Sequence, residues 1–91
     1  MEALEIELRG EKVSALRRIA AGLQLDLAAL KEFESGPQAQ QPDAAVRRAE
    51  LRKKAARQLW YMVVQREAMG IRRHEDMYAI YEVPKDLVPN P

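Results

Sequence analysis

The sequence contains no cysteine and no threonine, only one histidine, and few aromatic residues, which make up 5% of its 91 positions. Without cysteine there are no disulfides, thiolate metal ligands or cysteine nucleophiles. The longest uninterrupted apolar run is LWYMVV, residues 59–64, far shorter than the ~20 residues of a membrane-spanning helix. The acidic, alternating start, MEALEIELRGEK, is not typical of a signal peptide. We therefore expect a soluble, cytoplasmic, single-domain protein with no membrane contact.

The residues that are abundant favour helix. Fourteen alanines and ten leucines stand beside 15 basic and 14 acidic residues, and most of these residue types are good helix formers. The β-branched and aromatic residues that strands need are scarce. Glycine and proline gather at 35–42, at Gly70 and in 84–91, and such clusters mark breaks between elements.

These breaks predict an all-α fold in one domain, 1–91. We expect helices at about 3–34 and 43–69 joined by a loop at 35–42, then a short helix at about 74–82 and a frayed tail at 84–91. For 77–83 a strand is the alternative, and we prefer helix because a lone strand would have nothing to pair with. Since the loop is short, the two long helices should be antiparallel neighbours.

Apolar spacing predicts which faces are buried. From Val13 to Leu30 the apolar residues of the first helix are three and four apart, which is typical of a helix–helix seam, and Ile6 extends it. In the short helix, Met77, Ile80 and Tyr81 should share one face. On the second helix, the apolar residues predicted to be buried form one broad arc of the helix surface, hereafter the apolar arc: Ala45, Ala49, Leu51, Ala55, Ala56, Leu59, Trp60, Met62, Val63 and Met69.

Several apolar residues lie where this hairpin has nothing to cover them. A helix segment that is apolar all round is normally covered all round. A second copy of the chain would supply the cover and give a homodimeric four-helix bundle. There are two alternatives to the homodimer: a monomer in which the third helix covers these residues, and a complex with a different protein partner. The candidate interface residues are Leu25, Val46, Trp60, Tyr61 and Val64.

A basic run, RRAELRKKAAR at 47–57, is the most conspicuous charge feature. Bound to nucleic acid, it would contact phosphates through Arg47, Arg48, Lys53, Lys54 and Arg57. We favour a simpler interpretation, in which Asp26, Glu32 and Glu34 on the facing helix compensate the run, because the net charge is only +1. Arg48, Arg52 and Arg66 point into the apolar arc, where an unpaired charge is costly. We expect them either to be ion-paired or to cover apolar surface with their stems while their charged ends reach solvent.

No catalytic constellation is recognisable. Ser14 and Ser35 have no histidine near them in sequence, and a serine nucleophile needs an oriented base. The four glycines are too far apart for a phosphate-binding loop. We expect His74 to cap the short helix or to lie at the surface, with no catalytic or metal site and no cofactor. The sequence thus favours a non-enzymatic interaction or adaptor protein, with a nucleic-acid-associated regulator as the alternative.

One stretch carries a family resemblance. WYMVVQREAMGIRRHEDMYAIYEVPKDL, residues 60–87, together with Glu11-Lys12 before Ala15-Leu16, resembles an uncharacterised family of short bacterial proteins, a domain of unknown function. The resemblance implies a small helical protein and brings no activity or cofactor with it. It directs attention to a polar corner around the Gly70 turn. There we expect a hydrogen-bonded network that holds the third helix, with a docking site for a partner as the alternative: Gln65, Arg66, Glu67, Arg73 and His74.

Overall fold

The computed structural model describes residues 3–89, with side chains from Gly10 onward. Helix α1 is Ala3–Ser35, α2 is Ala44–Ala68 and α3 is Glu75–Ile80, with 3-10 turns at Pro37–Gln40 and Lys85–Leu87. Within 3–89 there is no strand, so 77–83 is not one. The predicted all-α fold, an antiparallel hairpin with a short C-terminal helix, is confirmed. The side chain of Ile6 and the last two residues of the predicted tail lie outside the described part.

The long helices run side by side in an elongated molecule of 58 × 23 × 18 Å. Their register is visible in two contacts. Lys54 of α2 lies 3.8 Å from Asp26 of α1, and Gln65 donates a hydrogen bond of 3.3 Å to the carbonyl of Lys12. The middle of α2 therefore lies against the middle of α1.

The core is small and includes a residue from beyond the hairpin. Leu23 of α1 and Leu59 and Met62 of α2 form a buried cluster with Met77 of α3, which is 2% exposed. Truncating a buried side chain of this size costs roughly 2–5 kcal/mol. The short third helix is therefore part of the core and does not merely cap it.

The chain after α3 is packed against the hairpin, which corrects the expectation of a frayed tail from 84 onward. Val83 and Leu87 pack against the core cluster. Leu87 N–H donates a 2.9 Å hydrogen bond to the Pro84 carbonyl, and Asp86 forms an ion pair with Arg52 of α2. Residues 75–88, hereafter the C-terminal segment, thus run back along α2. Apolar side chains at 83 and 87 make this possible.

Some residues predicted to be buried are exposed. Trp60 is 59% exposed and Ile80 is 73% exposed, and Ala45 and Ala49 are exposed as well. Helix α1 and the C-terminal segment cover part of α2. Together they bury fewer residues of α2 than the ten that the sequence predicts. In and directly after α3, Met77, Tyr78 and Tyr81 lie against the hairpin, which leaves Ile80 outside.

Two helices end in the same way. After α2, Ile71 N–H bonds to the Arg66 carbonyl and Gly70 N–H to the Glu67 carbonyl, each at 3.0 Å, which is the Schellman motif with a left-handed residue after the helix. Gly70 has φ +87°, a left-handed conformation that glycine adopts without steric cost. After α3, Val83 and Glu82 make the equivalent bonds to Tyr78 and Ala79, at 3.0 and 3.2 Å, but here the left-handed residue is Glu82, φ 52°.

The two turns predict opposite responses to substitution. Glu82→Gly should raise the free energy of unfolding by up to about 1 kcal/mol, because it removes the strain of a left-handed non-glycine residue. The mirror change, Gly70→Ala, should lower it by about 1 kcal/mol or more for the same reason. Urea unfolding followed by circular dichroism measures both. If Glu82→Gly lost stability, the left-handed turn after α3 would not be strained.

Candidate functional site

The side of α2 that faces away from α1 carries an exposed apolar patch. Trp60, Tyr61 and Val64, hereafter the outer patch, are all exposed. The rings of Trp60 and Tyr61 touch edge to face, with centroids 5.6 Å apart. Val64 is one turn further along, so it lies beside Trp60 on the helix surface. The three side chains form one continuous apolar surface on a helix.

The other two candidate interface residues are exposed but lie elsewhere. Val46 is on the same side of α2 but fourteen residues, or about 21 Å, from Trp60 at 1.5 Å per residue. Leu25 is on α1, turned by about 200° from the fully buried Leu23 at about 100° per residue, so the hairpin separates it from Trp60. The five residues predicted for one interface therefore occupy three places, and only three of them adjoin.

Carboxylates compensate most of the basic run. Arg48 donates a 2.6 Å hydrogen bond to Glu34 at the end of α1 and lies over the Phe33 ring. Lys54 pairs with Asp26, as predicted. Arg47 pairs with Glu50 within α2 at 3.6 Å, and Arg52 with Asp86.

Two basic residues of the run are not compensated in this way. Among the described residues, Lys53 and Arg57 pair with no carboxylate, and both lie on the side of α2 that carries the outer patch. Most of the positive charge that phosphates would need is thus already neutralised within the chain. The nucleic-acid interpretation stays a prediction, and the ion pairs do not favour it.

The polar corner is organised around Arg66, whose side chain is only 15% exposed. Its Nε donates to His74 Nδ1 at 3.1 Å, and its Nη2 donates to the Arg73 carbonyl at 3.1 Å and to Asp76 Oδ1 at 3.3 Å. One guanidinium therefore joins the end of α2, the segment between α2 and α3, and the start of α3. For Arg48, Arg52 and Arg66 the sequence left ion pairing and extension to solvent open, and each of the three contacts a carboxylate.

His74 is a buried member of this network and not the predicted side-chain cap. It precedes α3, but its side chain makes no capping hydrogen bond, and the residue is only 8% exposed. Because Nδ1 accepts from Arg66, the proton of the neutral ring belongs on Nε2, which lies 3.1 Å from Glu67 Oε2. Both ring nitrogens are therefore occupied by contacts within the chain.

The corner differs from the predicted set in its membership. Arg66, Glu67 and His74 come together as predicted, whereas Arg73 contributes only its carbonyl and Gln65 bonds to α1 instead. Asp76, absent from the predicted set, joins it and also accepts a 2.8 Å hydrogen bond from Met77 N–H. Its position in the first turn of α3, two residues after His74, was the available signal.

The described residues were compared with the patterns of a metal site and of a membrane-spanning helix. In the part that the structure describes, no three His, Asp or Glu side chains converge as metal ligands would. Over the same residues, no helix combines the length and apolarity needed to cross a bilayer.

Comparison with known proteins gives no match to a protein family, a curated protein or a solved structure. The resemblance to an uncharacterised bacterial family stays a prediction.

Arg66→Ala should reveal how much the corner contributes. We expect the free energy of unfolding to fall by roughly 1–3 kcal/mol, because the change leaves the buried His74 and two acceptors without their donor. Arg72→Ala, at an exposed position nearby, is the matched control and should change it by less than about 0.5 kcal/mol. Chemical denaturation measures both. A loss below about 0.5 kcal/mol for Arg66→Ala would show that the corner does not hold the fold.

From the environment of Tyr78 we expect the stability of the fold to decrease at alkaline pH. Burial raises the pKa of its phenol above the usual 10.0; Glu75 and Glu67 add to the rise, and Arg66 opposes it. Below pH 10 the phenol is neutral in both states. Above it the unfolded chain ionises first, so stability should fall as the pH rises towards the folded pKa. Tyr78→Phe should remove the part of the tyrosinate absorbance titration that lies above the usual pKa, and lessen that loss. An unchanged titration would contradict the assignment.

Proposed function

We propose that this chain is a non-enzymatic interaction protein that binds another protein through the outer patch on α2. The observation that carries the proposal is Trp60, which is 59% exposed and lies in contact with Tyr61 on a regular helix. Single exposed apolar residues are ordinary on protein surfaces. An adjoining Trp, Tyr and Val are less so, and Trp and Tyr are the residues most enriched among energetically dominant interface positions.

The support beneath the patch favours binding. On the opposite side of the same two turns, Leu59 and Met62 are buried in the core. The patch is therefore held in place before a partner arrives, and binding need not order it, which removes one of the main costs of association.

The margins of the patch are polar. Arg57 precedes it by one turn and Glu67 follows it by one turn, and both are exposed. An apolar centre with a charged margin is the usual layout of a protein interface. The extended, regular surface of α2 suits the side of another helix. The cytoplasmic setting expected from the sequence is part of the proposal.

Site-specific photocrosslinking tests the proposal. Replacing Tyr61 with a benzophenone-bearing phenylalanine analogue keeps an aromatic ring in the patch and leaves Trp60 intact. After irradiation in the producing cells, we expect a discrete adduct that disappears when Trp60→Ser is added. The same analogue at Arg18, which is exposed on α1, is the control and should give no such adduct.

Trp60→Ser must leave the fold intact for this comparison. Because Trp60 is mostly exposed, we expect the helical content to be unchanged and the stability to change by less than about 1 kcal/mol. If position 61 gave no adduct, or if Trp60→Ser left the adduct unchanged, the outer patch would not be the binding element.

A further inference from the structure

Trp60 and Val64 of the outer patch belong to a longer stripe of residues with a regular period. Lys53, Arg57, Trp60, Val64 and Glu67 follow one another at intervals of four, three, four and three residues. We name these five residues the outer stripe. An average spacing of 3.5 residues keeps a line of side chains on one side of a helix that packs lengthwise against another helix. All five are exposed.

The charges of the stripe are arranged symmetrically about its apolar centre. Arg57 lies five residues before Met62 and Glu67 five residues after it, while Trp60 and Val64 lie two residues to either side. A twofold axis that crosses the C-terminal half of α2 at the level of Met62 would therefore exchange a basic residue with an acidic one, and a large apolar residue with a smaller one.

On the basis of the function proposed above, we infer that the partner is a second copy of this chain, bound antiparallel along α2. Trp60 then packs against the partner's Val64, and Arg57 meets the partner's Glu67. Because the contact is twofold symmetric, each pair occurs twice. Arg57 has no carboxylate partner among the described residues of its own chain, whereas Glu67 gives one oxygen to His74 and is still 55% exposed.

The opposite, parallel arrangement is disfavoured by the same charges. With the two copies parallel and in register, Arg57 would lie beside the partner's Arg57 and Glu67 beside the partner's Glu67. Like charges placed together across an interface act against association, and parallel helix dipoles also repel. Charge complementarity within one sequence thus selects both the occupant and its direction.

This contact gives a layer of four helices and not the four-helix bundle expected from the sequence. Because the outer stripe faces away from α1, the two copies of α2 lie in the centre and the two copies of α1 at the edges. Leu25 and Val46 stay outside the contact. The stripe spans fourteen residues, or about 21 Å, so the buried area falls below that of a standard interface of about 800 Å² per partner. The dimer should therefore form and dissociate with concentration.

Charge exchange tests this register. Arg57→Glu places Glu against the partner's Glu67 twice, and Glu67→Lys places Lys against the partner's Arg57 twice. We expect the dimer dissociation constant of each variant to rise by about tenfold or more, measured by light scattering and sedimentation across a concentration series. Mixing the two variants pairs opposite charges at both ends, so the mixture should regain association close to that of the unchanged chain.

The mixture also separates binding from folding. Glu67→Lys removes the acceptor of His74, and a folding defect would persist in the mixture, whereas a defect in the interface would not. Arg18→Glu makes the same charge change on the far side of α1 and should associate like the unchanged chain. A mixture that associates no better than its components would overturn the antiparallel pairing.

The crosslinking experiment tests the interaction function separately from the inference that the partner is a second copy of the chain. An adduct of twice the chain mass at position 61 supports the second copy. An adduct with a different protein, together with a chain that is monomeric at all concentrations, would overturn the self-association and leave the interaction function standing. The absence of any adduct at position 61 would overturn the function as well.

Discussion

Met77 completes a core that two helices cannot close by themselves. A hairpin of two long helices buries only one stripe on each of them, and a domain of this size has little apolar surface to spare. Met77 enters between the helices, where it meets Leu23, Leu59 and Met62. Met77 is the one fully buried residue of the C-terminal segment, and Val83, Leu87 and Asp86 hold the rest of that segment against the hairpin.

The turns and hydrogen bonds on either side of Met77 position its side chain in the core. The Schellman turn at Gly70 ends α2 and reverses the chain. Arg66 then holds His74, the Arg73 carbonyl and Asp76 together immediately before Met77. A second left-handed turn at Glu82 directs Val83 back onto the core. Each device would have little purpose in a plain hairpin, and together they fix α3 with only six residues of helix.

The sequence predicts the parts of this arrangement that depend on local patterns. The three- and four-residue spacing defines α1, and Gly70 followed by Ile71 identifies the end of α2. The turn at Glu82 carries no such signal, because a glutamate in a left-handed position is rare. Trp60 could not be placed by periodicity, since LWYMVV is apolar on every side of the helix and only the neighbours decide which residues are covered. The pairing of Arg52 with Asp86 joins residues 34 positions apart, which no local pattern reveals.

The arginines of α2 show how the inner and outer sides of one helix take different roles. On the inner side, Arg48, Arg52 and Arg66 each contact a carboxylate from a different part of the chain: the end of α1, the C-terminal segment and the start of α3. Such pairs add little stability when they are exposed, but three of them along one helix align three elements against it. On the outer side, Arg57 has the same chemistry and no such partner among residues 10–89. An arginine that aligns an element within the chain can align an element of another chain in the same way. The outer stripe would then extend to a second molecule the charge pairing that α2 already uses internally.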